Sequence, residues 1–391
     1  MRNLNIAIRS LFKKGRHNVM KIISLSVGLS VALVMIAKIY FEQSYDTFYP
    51  DADRIYRIYE NYSMNGKEED YYQVSGAVAP AMRSEIPGVE DATRLTYIGG
   101  DNTLFTTPDK QRYSARYIMM ADSNVFDIFP VPILSGNPKV VLAKPWYAMI
   151  SRSLAEKIRE GNSLESVIGK TLSVDRKEPM SIRGVFEDMG ENADIHFDVV
   201  VPMSKLWNLA RGGWGYDISY MSIIRFRDPA KDIKAVEARI PDMLKKYMAD
   251  SSNKKKSHRF SFRPLLEYHT ADPTVRLMIL MMSVLGIAIL LIAAFDYVLI
   301  AVSSLARRAK SIGVHKCCGA TDNSIFRMFL TETALVLFIS VLLTMLLIFQ
   351  FREFVEEIAG IRLSSLFTWQ TLWVPLTVLL VVFILAGAIP A

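Results

Sequence analysis

The chain has 391 residues, 51% of them hydrophobic, a formal net charge of +7 and two cysteines. That length allows two or three domains. The apolar excess argues against a wholly water-soluble chain, and two cysteines exclude a disulfide-stapled scaffold. The positive charge is unevenly spread, and its distribution reads as a membrane-topology signal, not as a nucleic-acid footprint.

The chain opens with MRNLNIAIRSLFKKGRHNVM. Leu4, Ile8, Leu11 and Phe12 recur at helical spacing with basic residues elsewhere, so residues 1–21 are expected to form an amphipathic helix on membrane lipid. Ile22 to Ile39 is then apolar except for Lys38. This run is longer than the roughly 7–15 apolar residues of a signal peptide, and no small-residue cleavage site follows it. Residues 22–41 are therefore expected to be an uncleaved first span.

Residues 42–274 have the mixed signature of an α+β domain. RIYRIYENYSMNGKEEDYYQV predicts a hairpin around Asn65-Gly66, and VAPAMRSE a short helix stopped before Pro87-Gly88. Strands are expected near 94–98 and 112–120, with Asp122 or Ser123 capping a short helix through Phe129. A further helix is expected over 153–160, strand–turn–strand over 170–186, and a helix over 231–248 with Ile233, Val236, Ile240, Met243 and Leu244 on one face. No cysteine falls in this segment, so its core must hold it together.

Three uncharged runs follow: Leu277–Phe295, Thr333–Phe351 and Leu363–Ala391. They predict spans at 275–304, 331–351 and 363–391, each able to cross roughly 30 Å of hydrocarbon. The expected fold is thus an α-helical membrane protein with four transmembrane helices and a large α+β domain inserted between the first two. Six basic residues and no acid precede the first span, and five basic residues against Asp322 fill 305–330. The positive-inside rule puts these segments in the cytoplasm, and 42–274 and 352–362 outside.

Four constellations resemble chemical sites. Gly169-Lys170-Thr171 has the end of a phosphate-binding loop, but position 164 is Leu where the first glycine is needed, so a turn before a strand is expected. Asp194, His196 and Asp198 alternate; on a strand they would share one face, as metal ligands or as an ordinary polar face. Cys317 and Cys318 lie near His315, yet no acid is placed to orient that histidine, and adjacent cysteines suit one tetrahedral metal poorly. They are expected to be small buried packing residues, with no catalytic or metal role. Asp296 interrupts an apolar span and is expected near the cytoplasmic interface, with a buried functional acid as the alternative.

The segment Arg308-Ala309-Lys310-Ser311-Ile312-Gly313-Val314-His315-Lys316, then Gly319-Ala320-Thr321 and FLTETALVL, resembles the permeases of MacB-type and FtsX-type ABC transporters. YDTFYPDADRIYRI, FDIFPVPILSGNP and GVFEDMGENADIHFDVVVPM resemble stretches of that family's external domain, in the same order. Ser311 and His315 stand where the family usually has an acid and an arginine, and Asp296 where an asparagine is common.

The resemblance implies a non-catalytic subunit in a bacterial inner membrane, with its large domain periplasmic and no cofactor of its own. ATP and Mg would be bound by a separate cytoplasmic ABC ATPase. That ATPase would dock on Arg307, Arg308, Lys310, Ile312, Gly313, Val314, Lys316, Gly319 and Ala320, the coupling segment. The chain's ending without a basic tail, and double-length relatives, lead us to expect one half of a tandem protein acting as a dimer or pseudo-dimer. Export or extraction of a substrate is the leading expectation. Regulation of a cell-wall hydrolase through a periplasmic partner, or a membrane-anchored sensor, are the alternatives.

Overall fold

The computed structural model describes residues 18–64, 67–98, 103–106, 111–115, 117–159, 161–174, 179–206, 214, 220–248, 257–317, 319, 321–369 and 373–388. The chain divides into two compact units, one formed by residues 45–269 and the other by the segments on either side.

The first helix of the second unit is α1 (Asn18–Gln43). It begins before the expected span, and residues 1–17 of the expected amphipathic helix lie outside the described residues.

The α/β unit contains β1 (Ile55–Met64), β2 (Lys67–Tyr71), α2 (Val78–Glu85), β3 (Val89–Tyr97), β4 (Thr103–Thr106), β5 (Arg112–Ala115), β6 (Ile118–Ala121) and α3 (Val125–Ile128). There follow β7 (Ile133–Ser135), α4 (Pro138–Val141), β8 (Tyr147–Ser151), α5 (Arg152–Ile158), β9 (Thr171–Val174), β10 (Pro179–Phe186), β11 (Val199–Pro202), β12 (Met221–Phe226), α6 (Pro229–Met248), β13 (Ser257–Pro264) and α7 (Leu265–Ala271).

The strands join in one mixed sheet of order β13-β1-β12-β3-β6-β11-β8-β10-β9-β4-β5, with β2 added to β1 and β7 to β10. Met64 pairs with Lys67 where β1 meets β2; the expected turn residues Asn65 and Gly66 lie outside the described residues. Two parallel pairings, β6 with β11 and β8 with β10, lie in the middle of this order. Of their strands, β6 and β11 are buried along their length and β8 from Ala148 on, as strands covered on both faces must be, while β10 alternates over its first half.

Around β1 and β12 the core is built by α2 and α6, through Val78, Met82, Val236, Ile240 and Met243. Around β8 and β10 it is built by α5, through Leu154, Ala155 and Ile158. A third cluster holds Tyr49, Phe126, Phe129, Phe186 and Phe197. One tight place needs glycine. Gly136 has φ +84, and a Cβ there would lie 2.4 Å from the Arg183 carbonyl oxygen, where β7 joins β10.

Three local expectations are corrected. Residues 191–198 form turns, not a strand; β11 starts only at Val199. Asn124, not Asp122 or Ser123, occupies the N-cap of α3, because the Asp122 carboxylate is engaged by Arg94. Cys317 is exposed and not a buried packing residue.

The other unit continues with α8 (Pro273–Cys317), α9 (Asp322–Gln350), α10 (Arg352–Ala359), α11 (Leu363–Leu366) and α12 (Trp373–Ala388). Among the described residues, three helices are long and apolar enough to cross a membrane: α1, α8 over Pro273–Ser303, and α9. The fourth apolar run holds two helices. The segment expected as a plain external loop, 352–362, is mostly helix α10, and the long apolar helix after it starts at Trp373 instead of 363.

Candidate functional site

The sequence-predicted coupling residues fall on the end of one helix and the turn after it. Helix α8 runs 45 residues without interruption to Cys317. The part apolar enough to span a membrane ends at Ser303, so the remaining residues extend the same helix by roughly 21 Å.

Arg307, Arg308, Lys310 and Ile312 lie on this extension, with their side chains outside the described residues. Gly313, Val314 and Lys316 are exposed, Val314 by 57%. A Cβ at Gly313 would meet nothing within 4 Å. Among the described residues no packing demands a glycine there.

The turn itself is built from local chemistry. Gly319 has φ +88, a conformation open to glycine at little cost, and its N–H donates to the Lys316 carbonyl at 3.0 Å. Thr321 caps α9, its hydroxyl accepting the Ser324 N–H at 3.3 Å. Lys316 Nζ lies 2.7 Å from Asp322 Oδ1 and ties the two helix ends together. Ala320 and Cys318 lie outside the described residues.

Behind this tip, α1 packs on both α8 and α9 through features that hydropathy alone hides. Gly28 of α1 abuts Ala293 of α8, so the two backbones approach closely. Ser26 donates to the Ser340 carbonyl at 3.1 Å, Thr344 to the Ser26 carbonyl at 3.1 Å, and Ser340 to the Ile22 carbonyl at 3.4 Å. Tyr297 donates to Thr333 Oγ1 at 2.9 Å, and the Lys21 ammonium sits 5.4 Å from the Tyr297 ring centroid. Asp296, the acid within the span, accepts from the Ser24 hydroxyl at 3.2 Å. This contact links α8 to α1.

A groove of about 580 Å³ lies among α1, α8, α9 and α10, lined by apolar side chains including Val27, Val31, Met35, Met282 and Phe354. Its one cation, Lys38, is paired with Glu42 at 2.5 Å.

The remaining sequence candidates do not gather into chemical sites. His196 Nδ1 lies 2.9 Å from the Ala193 carbonyl, Asp198 accepts the Tyr117 N–H at 3.3 Å, and Asp194 faces His269 at 3.7 Å. The three side chains turn to different partners because the segment is not a strand. Among the described residues no three His, Cys, Asp or Glu side chains are grouped to hold a metal. Gly169 has φ +91 and forms the turn before β9.

Sequence reasoning missed the serine and threonine seam of α1 and α9. Its only trace was a scatter of small hydroxyl residues in apolar runs, where they carry no periodic signal. It also missed Asp46, treated below, whose unusual backbone no composition reveals.

Comparison with known proteins adds three findings. Residues 283–391 match the family described as FtsX-like permease C-terminal. A crystal structure of a domain from a protein described as a permease, of Porphyromonas gingivalis, aligns with TM-score 0.50 at 28% identity, covering 55% of this chain and 91% of that one. The periplasmic region of MacB from Actinobacillus actinomycetemcomitans aligns with TM-score 0.39 at 14% identity, covering 57% and 94%. No curated protein matches the sequence. The FtsX-like match takes in the turn after α8 and the helices that follow it, and the Porphyromonas domain is similar over more than half of the chain. The chain is thus similar to FtsX-like permeases over residues 283–391 and to that permease domain, and it carries helices long and apolar enough to cross a membrane.

Proposed function

We propose that this chain is the membrane subunit of an ABC transporter that couples ATP hydrolysis on a separate cytoplasmic ATPase to movement of its α/β unit. The observation that carries the reading is the unbroken α8. It begins at Pro273, shortly after the last residue of the α/β unit, and ends in an exposed basic tip. A helix transmits displacement along its axis because each turn is braced by backbone hydrogen bonds. A push at the tip is thereby delivered to the chain segment entering the α/β unit. In this reading the partner binds ATP and Mg, and this chain positions and moves.

The tip is suited to docking. Val314 offers an apolar contact, Gly313 permits close approach, and Lys316 adds an exposed cation, with Arg307, Arg308 and Lys310 earlier in the same helix. At the other end of the spans, Trp373 meets Tyr40 edge-on at 6.1 Å, and Trp369 is 87% exposed. Such aromatic side chains belong at a membrane–water interface. Helix α10, amphipathic with Phe354 and Ile358 exposed, suits the same level. These features mark a membrane–water interface at that level, and the excess of Lys and Arg before the first span and over 305–330 supports an orientation with the tip in the cytoplasm and the α/β unit in the periplasm of a bacterial inner membrane. In this reading the moved external domain serves export or extraction of a substrate, with regulation of a cell-wall hydrolase as the alternative, and a second permease half or copy completes the unit.

The deciding experiment is copurification of the full-length protein with the ABC ATPases of its own cell. A stable complex whose ATPase rate responds to this chain is expected. Failure of the intact protein to bind any of them, under conditions where related permeases bind theirs, overturns the reading.

A further inference from the structure

The α/β unit begins at Tyr45 and ends at His269, and these two residues stack face to face, ring centroids 3.4 Å apart and planes within 3°. Asp46 follows immediately. It is the one non-glycine residue with positive φ among the described residues, at +59, a conformation that costs an ordinary side chain on the order of 1 kcal/mol. It is also 1% exposed. A buried acid in a strained conformation is held by something that offsets both costs.

What holds it is the loop 190–194. The Asp46 N–H donates to the Asn192 carbonyl at 2.9 Å, and its Oδ1 accepts the Asp194 N–H at 3.1 Å. Two stretches of sequence far apart in the chain, YDTFYPDADRIYRI and GVFEDMGENADIHFDVVVPM, are clasped through this one residue. The clasp is incomplete electrostatically. Asp46 Oδ2 is buried with no hydrogen-bond partner, and so is the hydroxyl of Tyr49 from the same turn. From the loop, Asp194 brings a second negative charge; from α7, His269 brings a cation when protonated, but lies against Asp194. Among the described residues no three His, Cys, Asp or Glu side chains are grouped to hold a metal.

We propose that Asp46 is a proton-operated latch, closed when its carboxyl is neutral and loosened when it is ionised, at the place where the chain enters and leaves the α/β unit. Burial, foremost, and the Asp194 charge raise its pKa from 3.8 to about 7, against the opposing Asp194 N–H and His269. The latch therefore operates near neutral pH. The neutral carboxyl keeps Oδ1 on the Asp194 N–H without placing a second anion beside Asp194. The inference concerns the α/β unit alone and stands whether or not an ATPase binds elsewhere.

The test is amide hydrogen exchange of the 190–194 loop in the full-length protein in detergent, corrected for intrinsic rates, from about pH 5 to pH 8.5. In wild type, local opening becomes easier by up to about tenfold per pH unit as the pH rises toward 7, then levels off. Asp46→Asn keeps an oxygen acceptor, tolerates positive φ and cannot ionise, so its loop opening is expected to be flat across this range. A flat wild-type profile, or an Asp46→Asn profile with the wild-type slope, overturns the latch. His269→Gln separates the two titrating groups: the slope persists, shifted to higher pH, if Asp46 is the switch. It disappears if His269 is the switch, and that also overturns the proposal. If Asp46→Asn does not fold, infrared difference spectra of wild type decide: a protonated carboxyl band is expected at about pH 6 and lost by about pH 8, and its absence at both overturns the latch.

Discussion

Gly28 and Ala293 meet so closely that a Cβ built on Gly28 would lie 2.4 Å from the Ala293 Cβ. Between apolar helices in lipid, where burying one apolar face on another brings little hydrophobic gain, such close approach is what van der Waals packing relies on. Gly28→Val forces α1 off α8 and is expected to cost roughly 1–3 kcal/mol. Thermal unfolding of the detergent-solubilised protein should show a lowered midpoint, partly restored by Ala293→Gly in the double variant. A Gly28→Val protein as stable as wild type would show that the two helices do not need this contact.

Gly313→Glu addresses the tip. Because a Cβ there meets nothing among the described residues, folding and membrane insertion should be unaffected. Copurification with the ATPase is expected to fall at least tenfold, since the new carboxylate blocks close approach and opposes acidic partner groups. Unchanged copurification would remove Gly313 from the docking surface.

Arg94 tests the α/β core. Its Nε and Nη2 donate to the two Asp122 carboxylate oxygens at 2.9 and 2.7 Å, and its Nη1 to the Gly76 carbonyl at 3.0 Å. Fork-on-fork geometry makes this pair stronger than a surface ion pair. Arg94→Met leaves Asp122 short of partners, and we expect destabilisation on the order of 2–3 kcal/mol by denaturant titration. Lys316→Met, at an exposed pair, should change stability by well under 1 kcal/mol, because water already screens it.

Asp46 also sets a global pH dependence. Its pKa is higher folded, about 7, than the ordinary aspartate value of 3.8, so its stabilising contribution is fully present below about pH 4 and lost as the pH rises through 7. The loss amounts to a few kcal/mol. Asp46→Asn should therefore gain stability over wild type at about pH 8 and gain little at about pH 4, measured as the difference between the two midpoints at each pH.

Much of this was legible from the residues in order. The apolar runs announced α1, α8 and α9, since a helix that faces lipid must be apolar over a fixed length. Met64 and Lys67 pair where a hairpin is expected, and Val236, Ile240 and Met243 share the buried face of α6 that their spacing predicts. Residues 194–198 misled because alternation of polar and apolar side chains is a strand signal only where a neighbouring strand supplies hydrogen bonds. Here Asp46, nearly 150 positions away, takes the Asp194 N–H instead.

By itself, then, the sequence determined which segments can enter a membrane, which ends carry positive charge, and that the tip of α8 is basic and glycine-containing. These are properties of composition and short-range spacing. Only the tertiary structure decided that α8 runs unbroken through the predicted coupling segment, that Gly28 and Ala293 touch, and that Asp46 is buried with its Oδ2 left without a hydrogen bond. Each of those depends on which residues distant in the chain come together, and no local pattern encodes the partner of a buried group.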